Sequence, residues 1–267
     1  MTIPSRHLLA TAGMVAAFAC WWPSLTHAGP PIIADDPHTV GPGVVQPIFA
    51  VSTFVQGDEA LLRGPTADLT IGLVDSLDAT VVASLANRHN ASQEPEWTFG
   101  GLFAVGVKWE FLRRDRGSLA FSPALLLDTQ NPREPAGLLP IQGELTVGGG
   151  KAAIGFDVGY IPVRSDAHEW FAALYANWAA TARLNLLGEV WVLSFGAIGA
   201  TDSGTAVATD VGASLGIDCS IIGNELRLLA SFGTGLVSVD APRVDLRAYL
   251  GTQHTFGERR DRWRSAR

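Results

Sequence analysis

Charged side chains recur between small residues on one face of several predicted strands, and their types and spacing could do chemistry. In residues 101–112, Lys108 and Glu110 lie on the face that carries mostly small residues. The charged residues of this kind are Asp68, Lys108, Glu110, Asp128, Glu144, Asp157, Glu189, Asp210, Arg227, Asp245 and Arg247. Charges in this pattern either pair in an enclosed interior or line a wet path with a mild preference for cations.

Residues suited to covalent or metal chemistry are scattered. Beyond residue 28 the histidines are His38, His89, His168 and His254, and none forms a pair at metal-ligand spacing. The stretch 89–92, His-Asn-Ala-Ser, is a weak match to a barrel phospholipase. The stretch 148–151, Gly-Gly-Gly-Lys, lacks the Ser/Thr and the helix of a phosphate loop and favours a hairpin turn. We expect no catalytic site, no metal and no cofactor.

Bulky and small residues alternate strictly along these stretches, and this alternation places the charges on one face of each predicted strand. In residues 101–112 the bulky face comprises Phe103, Val105, Val107, Trp109 and Phe111. The opposite face comprises Leu102, Ala104, Gly106, Lys108, Glu110 and Leu112. A period of two indicates a β-strand. A soluble sandwich would turn the bulky face inward, whereas a membrane barrel would turn it towards lipid.

Twelve segments have strand character, and they are long. They are 44–56, 63–73, 78–88, 98–112, 118–128, 138–148, 152–162, 169–180, 185–195, 207–218, 224–236 and 243–256. A tilted strand needs about 9–11 residues to cross a bilayer, while strands of soluble proteins average about 5–6 residues. The pattern predicts an all-β fold, an antiparallel transmembrane β-barrel of about 12 strands.

The gaps between the segments alternate in length. Short gaps such as 74–77 and 149–151 take turns with longer ones such as 89–97 and 196–206. Short turns on one rim and long loops on the other are the plan of a bacterial outer-membrane barrel. A basic residue on the lipid face would cost about 2–4 kcal/mol near the midplane, so we assign the charges to the lumen. We predict that Val107→Arg impairs assembly, whereas Lys108→Gln at most alters conductance.

The two ends of the chain differ from the barrel. A basic Arg6, an apolar run over 8–22 and Thr26-His27-Ala28 predict a cleaved signal peptide, 1–28, and export to the outer membrane of a Gram-negative bacterium. A periplasmic N-terminal segment, 29–43, precedes the barrel at 44–256, and a basic disordered tail covers 257–267. About fifteen residues before the first strand are too few for a plug domain. The net charge of −7 argues against nucleic acid.

The start of the predicted mature chain carries a motif, Gly-Pro-Pro-Ile-Ile-Ala-Asp-Asp-Pro at 29–37. It resembles the opening of a Gram-negative outer-membrane family assigned to the phenol meta-pathway, which begins Pro-Pro-hydrophobic-x-Thr-Asp-Asp-Pro. The matching positions include Pro31, Asp35, Asp36 and Pro37, whereas Ala34 replaces the usual Thr. The stretches 72–77 and 182–189 resemble that family's tight turns. The resemblance implies a barrel that passes hydrophobic or aromatic compounds.

The motif's acidic pair and the last strand suggest partners. Asp35 and Asp36 either cap the periplasmic mouth, bind a partner or form an Asx turn. The last strand ends in Phe256, which resembles the C-terminal signal read by the outer-membrane assembly machinery. We expect outer-membrane lipid, that machinery and small-molecule solutes as partners.

Three functions stay open. The first is passive diffusion of small hydrophobic molecules through the lumen. The second is a barrel with a filled, non-conducting lumen that has a structural or loop-mediated interaction role. The third is a soluble periplasmic β-protein.

Overall fold

The computed structural model describes residues 33–90, 98–129, 135–162, 167–197, 206–223, 225–240 and 243–257. The predicted signal peptide, Pro31 and nearly all of the predicted basic tail lie outside these residues. The strands are β1 Val45–Gln56, β2 Glu59–Val74, β3 Leu77–Asn90, β4 Thr98–Arg114, β5 Gly117–Phe121, β6 Ala124–Asp128, β7 Ala136–Val147, β8 Ala152–Pro162, β9 Ala167–Ala179, β10 Leu184–Ala197, β11 Ala206–Ile222, β12 Leu226–Val239 and β13 Leu246–His254. Among the described residues, no helix is long and apolar enough to cross a membrane.

The strands form one closed antiparallel barrel. Each strand pairs with its neighbours along the chain, and β1 pairs with β13 to close the sheet. β5 and β6 occupy a single position between β4 and β7, because Ser122 and Pro123 interrupt that strand. The backbone stays connected across the break, since Val107 N donates to Pro123 O at 3.0 Å and Ser122 N to Pro140 O at 3.1 Å. The barrel therefore has twelve strand positions, which confirms the predicted fold class.

The bulky face of β4 points outward. Phe103, Val105, Val107, Trp109 and Phe111 are all more than a third exposed. Their neighbour Ala104 is 3% exposed and Glu110 is also 3% exposed. An apolar exterior around a partly polar interior inverts the arrangement of a soluble sandwich, so the orientation expected for residues 101–112 is confirmed.

Small residues on the inner face make room for large inward rings. Gly155 lies opposite Tyr175, Gly159 opposite Phe171 and Gly212 opposite Trp191. A Cβ added at each of these glycines would overlap the facing ring. Trp191 is 1% exposed and Phe171 is 7% exposed. These two aromatics therefore point into the lumen, not towards the apolar exterior.

Turn lengths at the two rims follow the prediction, with two exceptions. Two residues join β2 to β3, two join β4 to β5 and four join β9 to β10. At the other rim, seven residues separate β3 from β4 and eight separate β10 from β11. One exception is the β1–β2 connection, which consists of Gly57 and Asp58 because β2 begins at Glu59. The other is the β8–β9 connection, which has four residues, as many as the β9–β10 turn at the opposite rim. We call the rims the short-turn end and the long-loop end.

Candidate functional site

Residues 33–43, the N-terminal segment, lie within the barrel and bind its inner wall. The segment enters at the short-turn end, where Gly43 N donates to Gly72 O at 2.9 Å and Gly72 N donates to Val44 O at 2.9 Å. A Cβ on Gly72 would overlap the Gly41 carbonyl, so this close approach requires glycine. We expected residues 29–43 to lie in the periplasm ahead of the barrel, and the described part of that range instead crosses the lumen.

Lys108 is the main anchor of the N-terminal segment. Its Nζ lies 2.7 Å from Asp35 Oδ2 and donates to Asp36 O at 2.7 Å. The inward alternation of β4 carries Lys108 to this point, and Asp78 on β3 lies directly opposite it. One buried ammonium therefore binds two oxygens that both belong to the segment.

Asp35 is held from three sides. Besides Lys108, its carboxylate accepts a hydrogen bond from Gln142 Nε2 at 3.2 Å. Its backbone N–H donates to Asp157 Oδ2 at 3.1 Å, and the residue is 4% exposed. Asp36 accepts from His38 N at 2.8 Å through Oδ1, which is the Asx turn considered from the sequence.

The segment's first described residues bind Glu189. Ile33 N and Ala34 N donate to the two oxygens of the Glu189 carboxylate, at 2.9 Å and 2.8 Å. Arg247 on β13 interacts electrostatically with the same carboxylate. Glu189 therefore fixes this end of the segment through backbone groups rather than through its side chains.

His38 connects the segment to a second group of carboxylates. Its Nε2 lies 3.0 Å from Glu144 Oε1, and its Nδ1 lies 3.2 Å from Ser118 Oγ and 3.6 Å from Glu110 Oε1. Burial opposes the charged form, but the hydrogen bonds to Glu110 and Glu144 outweigh it and raise the pKa of His38 to about 10. The imidazole is therefore protonated at neutral pH and binds as a cation.

Two further contacts complete the attachment. Val40 N donates to Asp78 Oδ2 at 2.8 Å. Thr39 N donates to Glu110 Oε2 at 3.3 Å, and Arg113 forms an ion pair with the same Glu110 carboxylate. The hydrogen-bonding groups that hold the segment thus come from β2, β3, β4, β5, β7, β8 and β10.

Carboxylates outnumber cations where Lys108 lies. The carboxylates of Asp35, Asp68, Asp78 and Asp157 all interact electrostatically with this ammonium. Asp35, Asp78 and Asp157 each keep one buried oxygen without a hydrogen-bond partner among the described residues. Among those residues no group of His, Cys, Asp and Glu side chains is arranged to hold a metal ion.

The other predicted residues lie apart from the N-terminal segment. Arg227 forms an ion pair with Asp218, and Asp128 is half-buried on β6 opposite Leu102. Asp210 accepts from Val244 N at 3.3 Å and so holds the β12–β13 connection inward. Asp245 does not lie on a strand's inner face. It is in that connection, with a side chain 44% exposed, and accepts from Gly57 N.

Sequence reasoning missed several residues of this site. Asp78 lies on the same face as Thr80 and Val82, so strand alternation alone could have found it. Gln142 is uncharged and was outside a search for charges. The inward path of residues 33–43 has no local signal, because its partners on the barrel wall are 29 to 156 positions away in the chain.

An apolar region lies between this site and the long-loop end. It includes Leu126, Leu138, Ile161, Phe171 and Leu193, which belong to one cluster of buried side chains. Ala34 of the N-terminal segment and Val244 of the β12–β13 connection belong to the same cluster. The lumen thus has a polar part that holds the segment and an apolar part beyond it.

A closed twelve-strand antiparallel barrel with an apolar exterior defines the fold of outer-membrane barrel proteins. The COG4313 outer membrane channel from Pseudomonas putida F1 is similar to this chain at 12% identity and a TM-score of 0.65, covering 84% of this chain and 100% of that one. The KdgM porin matches at 9% identity and a TM-score of 0.52, covering 79% and 99%.

The translocator domain of the autotransporter NalP from Neisseria meningitidis matches at 15% identity and a TM-score of 0.52, covering 81% and 89%. No family model matches the sequence, and no curated protein matches it. At these identities the likeness shows the fold. The resemblance of residues 29–37 to the phenol meta-pathway family stays a prediction.

Proposed function

We propose that this protein is a passive channel of the outer membrane for small apolar molecules, and that the N-terminal segment occludes it at rest. The observation that supports this most is the division of the lumen. The segment is held by hydrogen bonds and ion pairs at the short-turn end, and apolar side chains line the region beyond it. Diffusion through such a path needs no covalent step, only a lining that matches the solute and a segment that moves.

The lining of the lumen supports a solute of apolar character, and the shared fold supports a channel role. The inner cluster of Leu126, Leu138, Ile161 and Phe171 offers contact to an apolar body and few polar groups to orient a sugar or an ion. The KdgM and COG4313 proteins, named as a porin and an outer membrane channel, share the fold. The phenol-pathway resemblance makes aromatic compounds the first solutes to test.

A filled, non-conducting barrel is the second candidate, and the attachment of the N-terminal segment favours it. Contacts from seven strands hold the eleven residues of the segment, and the buried rings of Phe171 and Trp191 fill part of the lumen. In that case the barrel would present its long loops to a partner and pass no solute.

Bilayer recordings separate the two candidates. The purified protein is compared with a variant in which residues 33–40 are replaced by a Gly-Ser stretch of equal length, and with Asp115→Asn in the exposed β4–β5 turn as a control. A channel predicts short openings in the wild type and control and sustained conductance in the Gly-Ser variant. Silence of all three proteins, with heat-modifiable gel mobility showing folded barrels, would establish the filled barrel.

We propose export through a cleaved signal peptide and insertion by the outer-membrane assembly machinery, with lipid contacting the apolar exterior. Fractionation of cells tests the location, and N-terminal sequencing of the purified protein tests cleavage before Gly29. Recovery in the soluble periplasm would contradict both the membrane location and the channel. Uptake of aromatic against aliphatic compounds by a deletion strain, with and without the gene restored, tests the solute class.

A further inference from the structure

Asp68 is a buried carboxylate without a hydrogen-bond partner in the described part of the chain. It lies on the inner face of β2, directly opposite Ile48 on β1 and Val82 on β3. The residue is 2% exposed, and neither carboxylate oxygen has a hydrogen-bond partner among the described residues. A buried carboxyl group whose oxygens make no hydrogen bond destabilises the state that contains it, so the occluded barrel carries an unfavourable group at this position.

Lys108 is the nearby cation that could satisfy Asp68. The two side chains interact electrostatically, and Asp35 interacts with both. In the occluded barrel the ammonium of Lys108 binds Asp35 and the Asp36 carbonyl, and both belong to the N-terminal segment. When the segment leaves, Lys108 therefore loses its two closest acceptors while it stays on the wall.

We propose that Lys108 exchanges partners, from Asp35 in the occluded barrel to Asp68 when the segment leaves, and that this exchange makes the segment releasable. The occluded state has one Lys108 pair and an unpaired Asp68. The released state restores an ion pair on the wall and takes Asp35 into water. This regulation rests on the proposed function, because a segment that leaves matters only if the lumen conducts.

Asp78 and Asp157 differ from Asp68, and the difference sets the direction in which neutralising each carboxylate should shift the occluded state. Each of them already accepts a backbone hydrogen bond from the segment, from Val40 and from Asp35 respectively. Neutralising either one weakens the occluded state. Asp68 accepts no hydrogen bond from the segment, residues 33–43. Neutralising Asp68 therefore removes an unfavourable group from the occluded state, and it also removes the carboxylate with which Lys108 would pair after release.

The test compares two chemically identical changes, Asp35→Asn and Asp68→Asn, in the full protein. Amide hydrogen exchange at Ala34 and Val40, whose N–H groups bind the wall in the occluded barrel, reports release of the segment. We expect exchange about tenfold faster in Asp35→Asn and about tenfold slower in Asp68→Asn, as the loss of one hydrogen bond to a charged group implies. Bilayer open probability should follow the same order, and Asp115→Asn should match the wild type.

The outcomes separate this inference from the channel itself. One outcome is that amide hydrogen exchange accelerates in Asp35→Asn and slows in Asp68→Asn while the folded barrels do not conduct. That outcome supports the exchange of partners by Lys108 and contradicts conduction. Conduction in the Gly-Ser variant, together with faster or unchanged exchange in Asp68→Asn, overturns the partner exchange and leaves the channel standing. If Asp68→Asn does not assemble, Asp68→Thr, which matches Thr66 and Thr70 on the same face, takes its place and faces the same criteria.

Discussion

Removing the Lys108 ammonium should release the N-terminal segment. Lys108→Met keeps the length of the apolar stem and deletes two contacts of 2.7 Å, one to the Asp35 carboxylate and one to the Asp36 carbonyl. Hydrogen bonds that involve a charged group contribute about 1.5–3 kcal/mol each, and Asp35 would be left buried without its cation. The sequence alone suggested that a change at this position at most alters conductance, and the structure makes it an opening mutation.

The expected increase in release is calculated from the lower end of this range, about 1.5 kcal/mol for each of the two contacts. A loss of about 3 kcal/mol from the occluded state raises the released fraction by at most about 100-fold, since about 1.4 kcal/mol corresponds to a factor of ten and Lys108→Met also removes the Asp68 pair of the released state. Single-channel recordings should show longer and more frequent openings. Amide exchange at Ala34 and Val40 should accelerate by a similar factor.

The chain provides a matched control for this experiment. Lys151, the second of its two lysines, is exposed in the turn between β7 and β8. Lys151→Met makes the same chemical change without touching the segment, and it should leave conductance and exchange at wild-type values. A folded Lys108→Met barrel that conducts and exchanges like the Lys151 control would refute the assignment of Lys108 as the anchor.

Three further predictions concern the exterior, the entry point and pH. Val107→Arg places a charge on the outward face at a cost of about 2–4 kcal/mol near the midplane, so the heat-modifiable folded band should decrease, and an undiminished band would mean that this face avoids lipid. Gly72→Ala should displace the segment at Gly41 and expose it to protease, whereas Gly188→Ala, with room for a Cβ, should not; equal cleavage in both would contradict the close approach. The raised pKa of His38 means that its contribution to the occluded state is fully present below about pH 6.5 and is lost as pH rises to about 10. Open probability should therefore increase over that range in the wild type, and His38→Gln should flatten the increase; an unaltered profile in the variant would assign the pH response to another group.

The fold was predictable because strand periodicity is a local signal. Alternation in residues 101–112 separated a bulky face from a small one, and the alternating gap lengths indicated a membrane barrel with the bulky face outward. The division of the fifth strand was not predicted, since Pro123 lies in an otherwise regular segment and its effect depends on how β4 and β7 pair around it. The aromatic residues were harder still, because whether Trp191 faces out or in depends on Gly212, a residue on the adjacent strand.

Part of the site was predictable, again because strand alternation is a local signal. Alternation assigned Lys108, Glu110, Asp157 and Glu189 to the inner face, and the structure places them there. Their role in binding the chain's own N-terminal segment could not be read from the sequence, since Asp35 meets Lys108 only after the barrel closes. Counting residues before the first strand was also misleading, because an extended segment of eleven residues is long enough to reach from Gly72 to Glu189.

The polar attachment of the segment has a consequence for how the occluded state gives way. An apolar plug would be held by burial, which weakens gradually as the plug slides. Hydrogen bonds and ion pairs instead depend on exclusion of water, because the interaction between two charges falls steeply as the local dielectric rises. Water that reaches the Lys108 ammonium also solvates the carboxylates of Asp35 and Asp68. The contacts around this anchor are therefore expected to fail together, and conductance should switch between two levels rather than vary continuously.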